Sequence, residues 1–159
     1  MSFQIVAVDP SPFAPLSSLS DAELQRRGAR RIVADADFGY PCRASLADAA
    51  TGEELLLLPY AHHTADTPFR ASGPIFVRRD AARRILPAAD VPLCVRQRLM
   101  SLRAYDADGM MVESQVTAGE LVAGELTRLF ERSAVAEVHL HYAKPGCYAC
   151  RAIRARVGG

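Results

Sequence analysis

The run VHLHYAKPGCYACR, near the end of the chain, carries His139, His141, Cys147 and Cys150, half of the four histidines and half of the four cysteines present. Imidazole and thiolate are the side chains that ligate transition metals and carry out redox or nucleophilic chemistry, so a cluster of them has several readings. The first is a metal site. Histidines two apart on a strand point the same way, and a Cys-x-x-Cys pair after a turn has the gap seen in zinc ribbons. His139, His141, Cys147 and Cys150 then supply two nitrogens and two thiolates to zinc or another transition metal. A lone Cys-x-x-Cys pair is a weak signal without a second one.

The second reading is dithiol redox chemistry, since a strand followed by Gly-Cys-x-x-Cys-Arg locally resembles the active-site turn of thioredoxins. Only nine residues follow Cys150, too few for the helix and strands that such a fold needs after its motif. A third makes Cys147 a nucleophile with His139 or His141 as its base. The group orienting that base would be Glu137, because the chain has no asparagine. A fourth sets Arg43, Arg70 and Arg103 around a small anionic ligand, as a guanidinium fork suits carboxylate or phosphate. Against all four stands a structural reading: histidines satisfied by their neighbours, and Cys42, Cys94 and Cys150 packed as small hydrophobes. His62 and His63 fall in a polar stretch that reads as exposed loop, with little chance of reaching a cleft.

The elements that would position these residues follow from periodicity and punctuation. Phe3 to Val8 is strand-like, and Pro10 to Pro15 is an irregular connector. Ser20 and Glu23 form a capping box for a short helix that Gly28 stops. Arg31 to Ala34, Cys42 to Ala47, Glu54 to Tyr60 and Ile75 to Val77 read as strands, and the apolar run Leu55 to Leu58 predicts a central strand covered on both faces. His62 to Gly73 reads as loop and Asp80 to Leu86 as a brief helix. Asp108-Gly109 predicts a hairpin between Ser101–Tyr105 and Met111–Thr117. Thr117 and Glu120 offer a second capping box, before a helix with Val122, Leu126, Leu129 and Phe130 on one stripe. Val135 to Tyr142 is a strand, and Arg151 to Val157 a strand or short helix.

Alternation then sets a condition on function. Glu137, His139 and His141 share one strand face, as do Ser101, Arg103 and Tyr105. If both faces lie on the same side of one sheet, Arg103 and the histidines line a common cleft; otherwise they are the wet face of a half-covered sheet.

The sum is an α+β single domain over residues 1–159, with a mixed, mainly antiparallel sheet and two or three helices. Half the residues are hydrophobic, and a chain of this size buries about 70% of its unfolded surface, so no metal or disulfide is needed for folding. The formal charge of +1 gives no field to recruit nucleic acid or acidic membranes. Lys144 is the only lysine among 19 basic residues. The Arg78-Arg79 and Arg83-Arg84 patch lacks the interleaved aromatics of a nucleic-acid surface. With no targeting or membrane-spanning segment, the expected setting is the cytoplasm, where the cysteines are free thiols.

The segments FAPLSSLSDAEL, YPCRASLADAATGEELLLLPY, PFRASGPIFVRR, RLMSLRAYDADGMM and VHLHYAKPGCYACR, in this order, resemble a bacterial family catalogued as domain of unknown function twelve-oh-three. The resemblance implies a small single-domain bacterial protein and assigns no catalytic or binding residue. Residue chemistry therefore carries the functional expectation. It is a cytoplasmic protein that binds a metal or small anion, either as an enzyme or not, with His139, His141 and Cys147 at its centre. The competing expectation is an interaction module or homodimer in which the histidines and cysteines are structural.

Overall fold

A computed structural model describes residues 2–156. Ten strands divide into two five-stranded sheets where the sequence suggests one. The first sheet has the order β1 (Phe3–Val6), β10 (Tyr148–Arg154), β9 (Glu137–Tyr142), β7 (Leu99–Tyr105) and β8 (Met111–Ala118). The second has the order β2 (Arg30–Val33), β5 (Glu54–His63), β6 (Ala71–Arg78), β3 (Pro41–Cys42) and β4 (Ala47–Asp48). Among the described strands only β3 and β6 pair in parallel, so the α+β, mainly antiparallel architecture holds. Three α-helices complete it: α1 (Asp21–Arg26), α2 (Leu93–Arg96) and α3 (Val122–Glu131).

Both faces of the first sheet are covered along β9. On one side, Val138, Leu140 and Tyr142 of β9 join Leu102, Ala104 and Ala152 beneath Val122, Leu126, Leu129 and Phe130 of α3. The helix stripe is thus the one its spacing predicts, and each such side chain contributes about 1.5–3 kcal/mol on full burial. On the other side lies the far end of the β5–β6 hairpin. Within the second sheet, β5 runs between β2 and β6. Leu55 packs with Ala34 and Ala49, while Leu56 and Leu58 pack with Leu24 and Ile75, so this strand is central and covered on both faces.

The Ser20–Glu23 capping box forms as the sequence indicates, with Glu23 N–H donating to Ser20 Oγ at 3.2 Å and Ser20 N–H to Glu23 Oε2 at 2.8 Å. The second expected box does not form, because α3 is entered through a 3-10 turn with no side-chain cap. The brief helix expected over Asp80 to Leu86 is replaced by extended chain. There Arg84 N–H bonds Ala44 O, Arg83 Nε bonds Ala7 O, and Ile85 bridges Val6. These long-range bonds outweigh a weak local preference. Cys42 to Ala47 is a tight reversal between β3 and β4, with Leu46 at φ 51°. The expected loop from His62 to Gly73 shrinks to residues 64–70, since β5 runs on through His63 and β6 begins at Ala71. The last strand extends back to Tyr148, and Val157 lies outside the described residues.

The β7–β8 turn touches the site directly. Gly109 has φ +82°, and a Cβ there would come within 2.4 Å of Ala65 Cβ and 3.4 Å of the His63 ring. Its carbonyl meets His63 Nε2 at 2.9 Å and accepts from Thr67 Oγ1 at 3.2 Å. Glycine therefore serves both the left-handed backbone and the close approach. We expect Gly109→Ala to lower stability by about 1–3 kcal/mol, read as a fall in the urea midpoint. An unchanged midpoint would mean that the turn tolerates a side chain and does not clamp His63.

Candidate functional site

The register of β7 against β9 settles the condition set by alternation. Ser101 lies opposite His141, Arg103 opposite His139 and Tyr105 opposite Glu137, and directly opposed residues share a face. That shared face is not wet. His139 and His141 are each 1% exposed, because β5 brings His62 and His63 down onto them. The reading of His62 and His63 as exposed loop is corrected accordingly: His63 is buried and His62 half-buried.

Consecutive residues on a regular strand point to opposite faces, yet both of these rings reach His139, at centroid separations of 6.3 and 5.3 Å. A register shift between Tyr60 and His63 in the β5–β6 ladder is the cause. Such a bulge breaks strict alternation and re-aims side chains. A second shift, between Tyr148 and Cys150, sets Tyr148 opposite His141. The Tyr148 ring then stacks on His62 at 5.3 Å with planes 6° apart.

The four histidines form one cluster whose hydrogen bonds dictate which nitrogens are free. His141 Nδ1 lies 3.0 Å from Gly146 O. A carbonyl only accepts, so Nδ1 carries the proton and Nε2 presents a lone pair. His139 Nε2 lies 2.9 Å from Glu137 Oε1, and Arg151 Nη1 holds the other carboxylate oxygen at 2.9 Å. His139 Nε2 therefore donates to the carboxylate, and its Nδ1 faces away from that bond. His62 Nδ1, His139 Nδ1 and His141 Nε2 are all buried without a hydrogen-bond partner among the described residues. One ligand atom from each of His62, His139 and His141 lies within 4.8 Å of the other two. Three nitrogens around a tetrahedral zinc ion at its usual bond length are roughly 3.3 Å apart, so modest convergence of the rings closes the set.

A second group, His63, Glu137 and His139, meets the same distance criterion. Its members are already engaged, His63 with Gly109 O and Glu137 with both His139 and Arg151. It therefore has fewer free ligand atoms than the first group.

Burial pushes the His62 imidazole down to about 4, with the charges of His139, Arg103 and His63 adding to the effect. Burial likewise pushes His141 down to about 3, against the partial support of the Gly146 carbonyl. Both rings are thus neutral at pH 7, the form that ligates metals. The His139 ring beside Glu137 holds that carboxyl below the usual carboxylate range, ahead of the opposing effect of burial.

The remaining candidates are dispersed. Cys147 precedes Tyr148, which faces the histidines, so its own side chain turns the other way. Its Sγ accepts from Arg43 Nη2 at 3.0 Å and it packs against the α3 side of the sheet. It therefore stands outside the histidine set, and no Cys–His pair forms among the described residues. Cys150 is fully buried in the same core, and burial pushes its thiol well up. Neither Cys147 nor Cys150 joins His139 and His141, and His62 is the residue that approaches them instead. The segment after Gly146 continues as strand β10 and not as a helix, so the thiols lack the helix N-terminus of a thioredoxin turn.

Arg43, Arg70 and Arg103 do not converge into one clamp. Arg43 is buried against Cys147, and Arg70 is exposed in the turn between β5 and β6. Arg103 lies on the histidine face, close enough for its charge to depress His62 and His141. A cleft of about 440 Å³, lined in part by His62, His63, Glu137, His139 and Arg151, leads to the cluster from outside.

A two-sheet α+β protein with a buried imidazole cluster between its layers is the class these features define. Residues 39–154 match the family described as "Protein of unknown function (DUF1203)", and the chain belongs to that family. No curated protein and no solved structure matches the chain. Among the described residues, no helix is long and apolar enough to cross a membrane.

The depressed imidazoles make folding sensitive to acid. An unfolded chain protonates His62 and His141 near 6.5, whereas the folded chain holds them neutral down to about 4 and 3. Their contribution is complete above the unfolded value and is lost as pH falls from there. For the fully buried His141 the slope is at most about 1.4 kcal/mol per pH unit. Urea midpoints of chelator-stripped protein should fall steadily between about pH 7 and pH 5, above the main carboxylate range. His141→Gln should flatten that slope, and a level profile in the wild type would contradict the burial of neutral rings.

Proposed function

We propose that the protein binds one divalent transition-metal ion through His62, His139 and His141, and that zinc is the ion their chemistry suits best. The observation carrying this reading is that His62, His139 and His141 each bring a ring nitrogen within 4.8 Å of the other two, and each has a buried nitrogen without a hydrogen-bond partner among the described residues. Two of those rings also give their other N–H to Glu137 and to the Gly146 carbonyl. That outer arrangement is what metal-ligating histidines use to fix tautomer and orientation. Unmet nitrogens in a dry site otherwise cost about 1–3 kcal/mol each, and a cation meets all of them together.

Three histidines leave a fourth position for water or a small anion, the pattern of zinc sites that perform chemistry and not merely hold a fold. Arg103, whose side chain has a single long 3.4 Å hydrogen bond, to Ser101 Oγ, among the described residues, provides a countercharge for such an anion. Hydrolytic chemistry on a small anionic substrate is the activity this arrangement favours. A bacterial, cytoplasmic setting belongs to the same reading, in keeping with four free cysteines.

Untagged protein purified without chelator, then stripped and titrated with cobalt(II) and zinc, tests it. About one equivalent should bind, with tetrahedral cobalt absorption and no thiolate charge-transfer band. His139→Ala should abolish binding, Glu137→Gln should weaken it about 10–100-fold, and Cys147→Ser should leave it unchanged. Absence of stoichiometric metal after both purification and titration would refute the reading.

A further inference from the structure

A second site lies on the other side of β10. Arg43 is 1% exposed, and its guanidinium is pinned in place. Nε donates to Tyr148 O at 2.8 Å, Nη1 to Pro41 O at 2.6 Å and Nη2 to Cys147 Sγ at 3.0 Å. Its carbon sits 4.9 Å from the Tyr142 ring centre. Among the described residues no carboxylate pairs with it. Nearby Arg98 differs, since Asp48 grips it through both oxygens at 2.6 and 3.0 Å. Buried charges are ordinarily paired, because an uncompensated one in a low-dielectric setting is strongly unfavourable.

The guanidinium instead faces a cavity of about 390 Å³, whose lining includes Cys147, Tyr142, Phe76, Phe38 and the exposed Lys144. Two of its five N–H donors remain after the three bonds above, and Lys144 adds a second cation at the rim. A buried, charge-unpaired arginine opening into a cavity of ligand size points to an anion as its occupant. Cys147 is the partly exposed cysteine, against 1%, 2% and 0% exposure for Cys42, Cys94 and Cys150.

We propose that this cavity receives small disulfides bearing carboxylates, and that Cys147 undergoes thiol–disulfide exchange with them. The Cys147 sulfur, its proton passing to solvent, attacks one sulfur of the bound disulfide. A new S–S bond to Cys147 forms as the original S–S bond breaks, and the other half departs as a thiolate. Cys147 is thereby oxidised to a mixed disulfide and the ligand's second half is reduced. Arg43 and Lys144 hold the carboxylates of the half that stays, and the aromatic walls exclude water around the new bond.

Oxidised glutathione, which is net negative, and cystamine, which is net positive, are the probes. The intact metal-free or metal-loaded chain is treated with each, and modification is located by peptide mass mapping. The ratio of the two rates at Cys147 should exceed that of the urea-unfolded chain by about tenfold, and salt should reduce the excess. Since Arg43 variants risk misfolding, Lys144→Glu at the rim is the companion test and should cut the glutathione rate severalfold while raising that of cystamine. A ratio within about twofold of the unfolded chain, or native modification at Cys42, Cys94 or Cys150, overturns the proposal. So does a preference that Lys144→Glu leaves untouched.

Discussion

The constraint on which this structure turns is the burial of a polar sheet face between two layers. Glu137, His139 and His141 occupy the face of β9 that an ordinary antiparallel sheet gives to water, and the β5–β6 hairpin covers it. Once water is gone, every nitrogen must find a partner inside. Glu137, itself steadied by Arg151, accepts one ring N–H, and the carbonyl of Gly146 accepts another. What remains is a buried nitrogen without a partner on each of His62, His139 and His141, among the described residues, an arrangement that apolar packing alone would not produce. The neutral, unprotonated state of His62 and His141 follows from the same dehydration.

Two local irregularities decide which side chains share that space. The shift near the end of β5 allows neighbouring histidines to approach the same ring, and the shift at the start of β10 brings Tyr148 over to the histidine side. Without the second, strict alternation would give Tyr148 the same facing as Cys150. The position of Cys147 follows directly. It belongs with Arg43 because Tyr148 belongs with His62.

The architecture was largely legible because it rests on periodicity. The stripe of α3, the Ser20 capping box, the Asp108-Gly109 hairpin and the facing of Glu137, His139 and His141 all follow from spacing and turn chemistry. The site was only half legible. His139 and His141 announce themselves by strict alternation on one strand. His62 does not, because its role depends on a bulge and on a contact between sheets, neither of which leaves a local pattern. Cys147 and Cys150 mislead for the opposite reason: their familiar spacing suggests a shared ligand, while a one-residue change of register and full burial of Cys150 give each a separate environment. Residues 80–86 follow the same rule, since bonds to Ala7 and Ala44 come from distant parts of the chain.

Tyr148 links the two halves of this picture. Its carbonyl is held by Arg43 while its ring lies flat on His62. The chain has no tryptophan, so tyrosine emission is not drained into an indole. One of its five tyrosines thus stands at the wall between the cation-lined cavity and the imidazole cluster, and replacing the other four would leave its emission as an optical reporter of that wall.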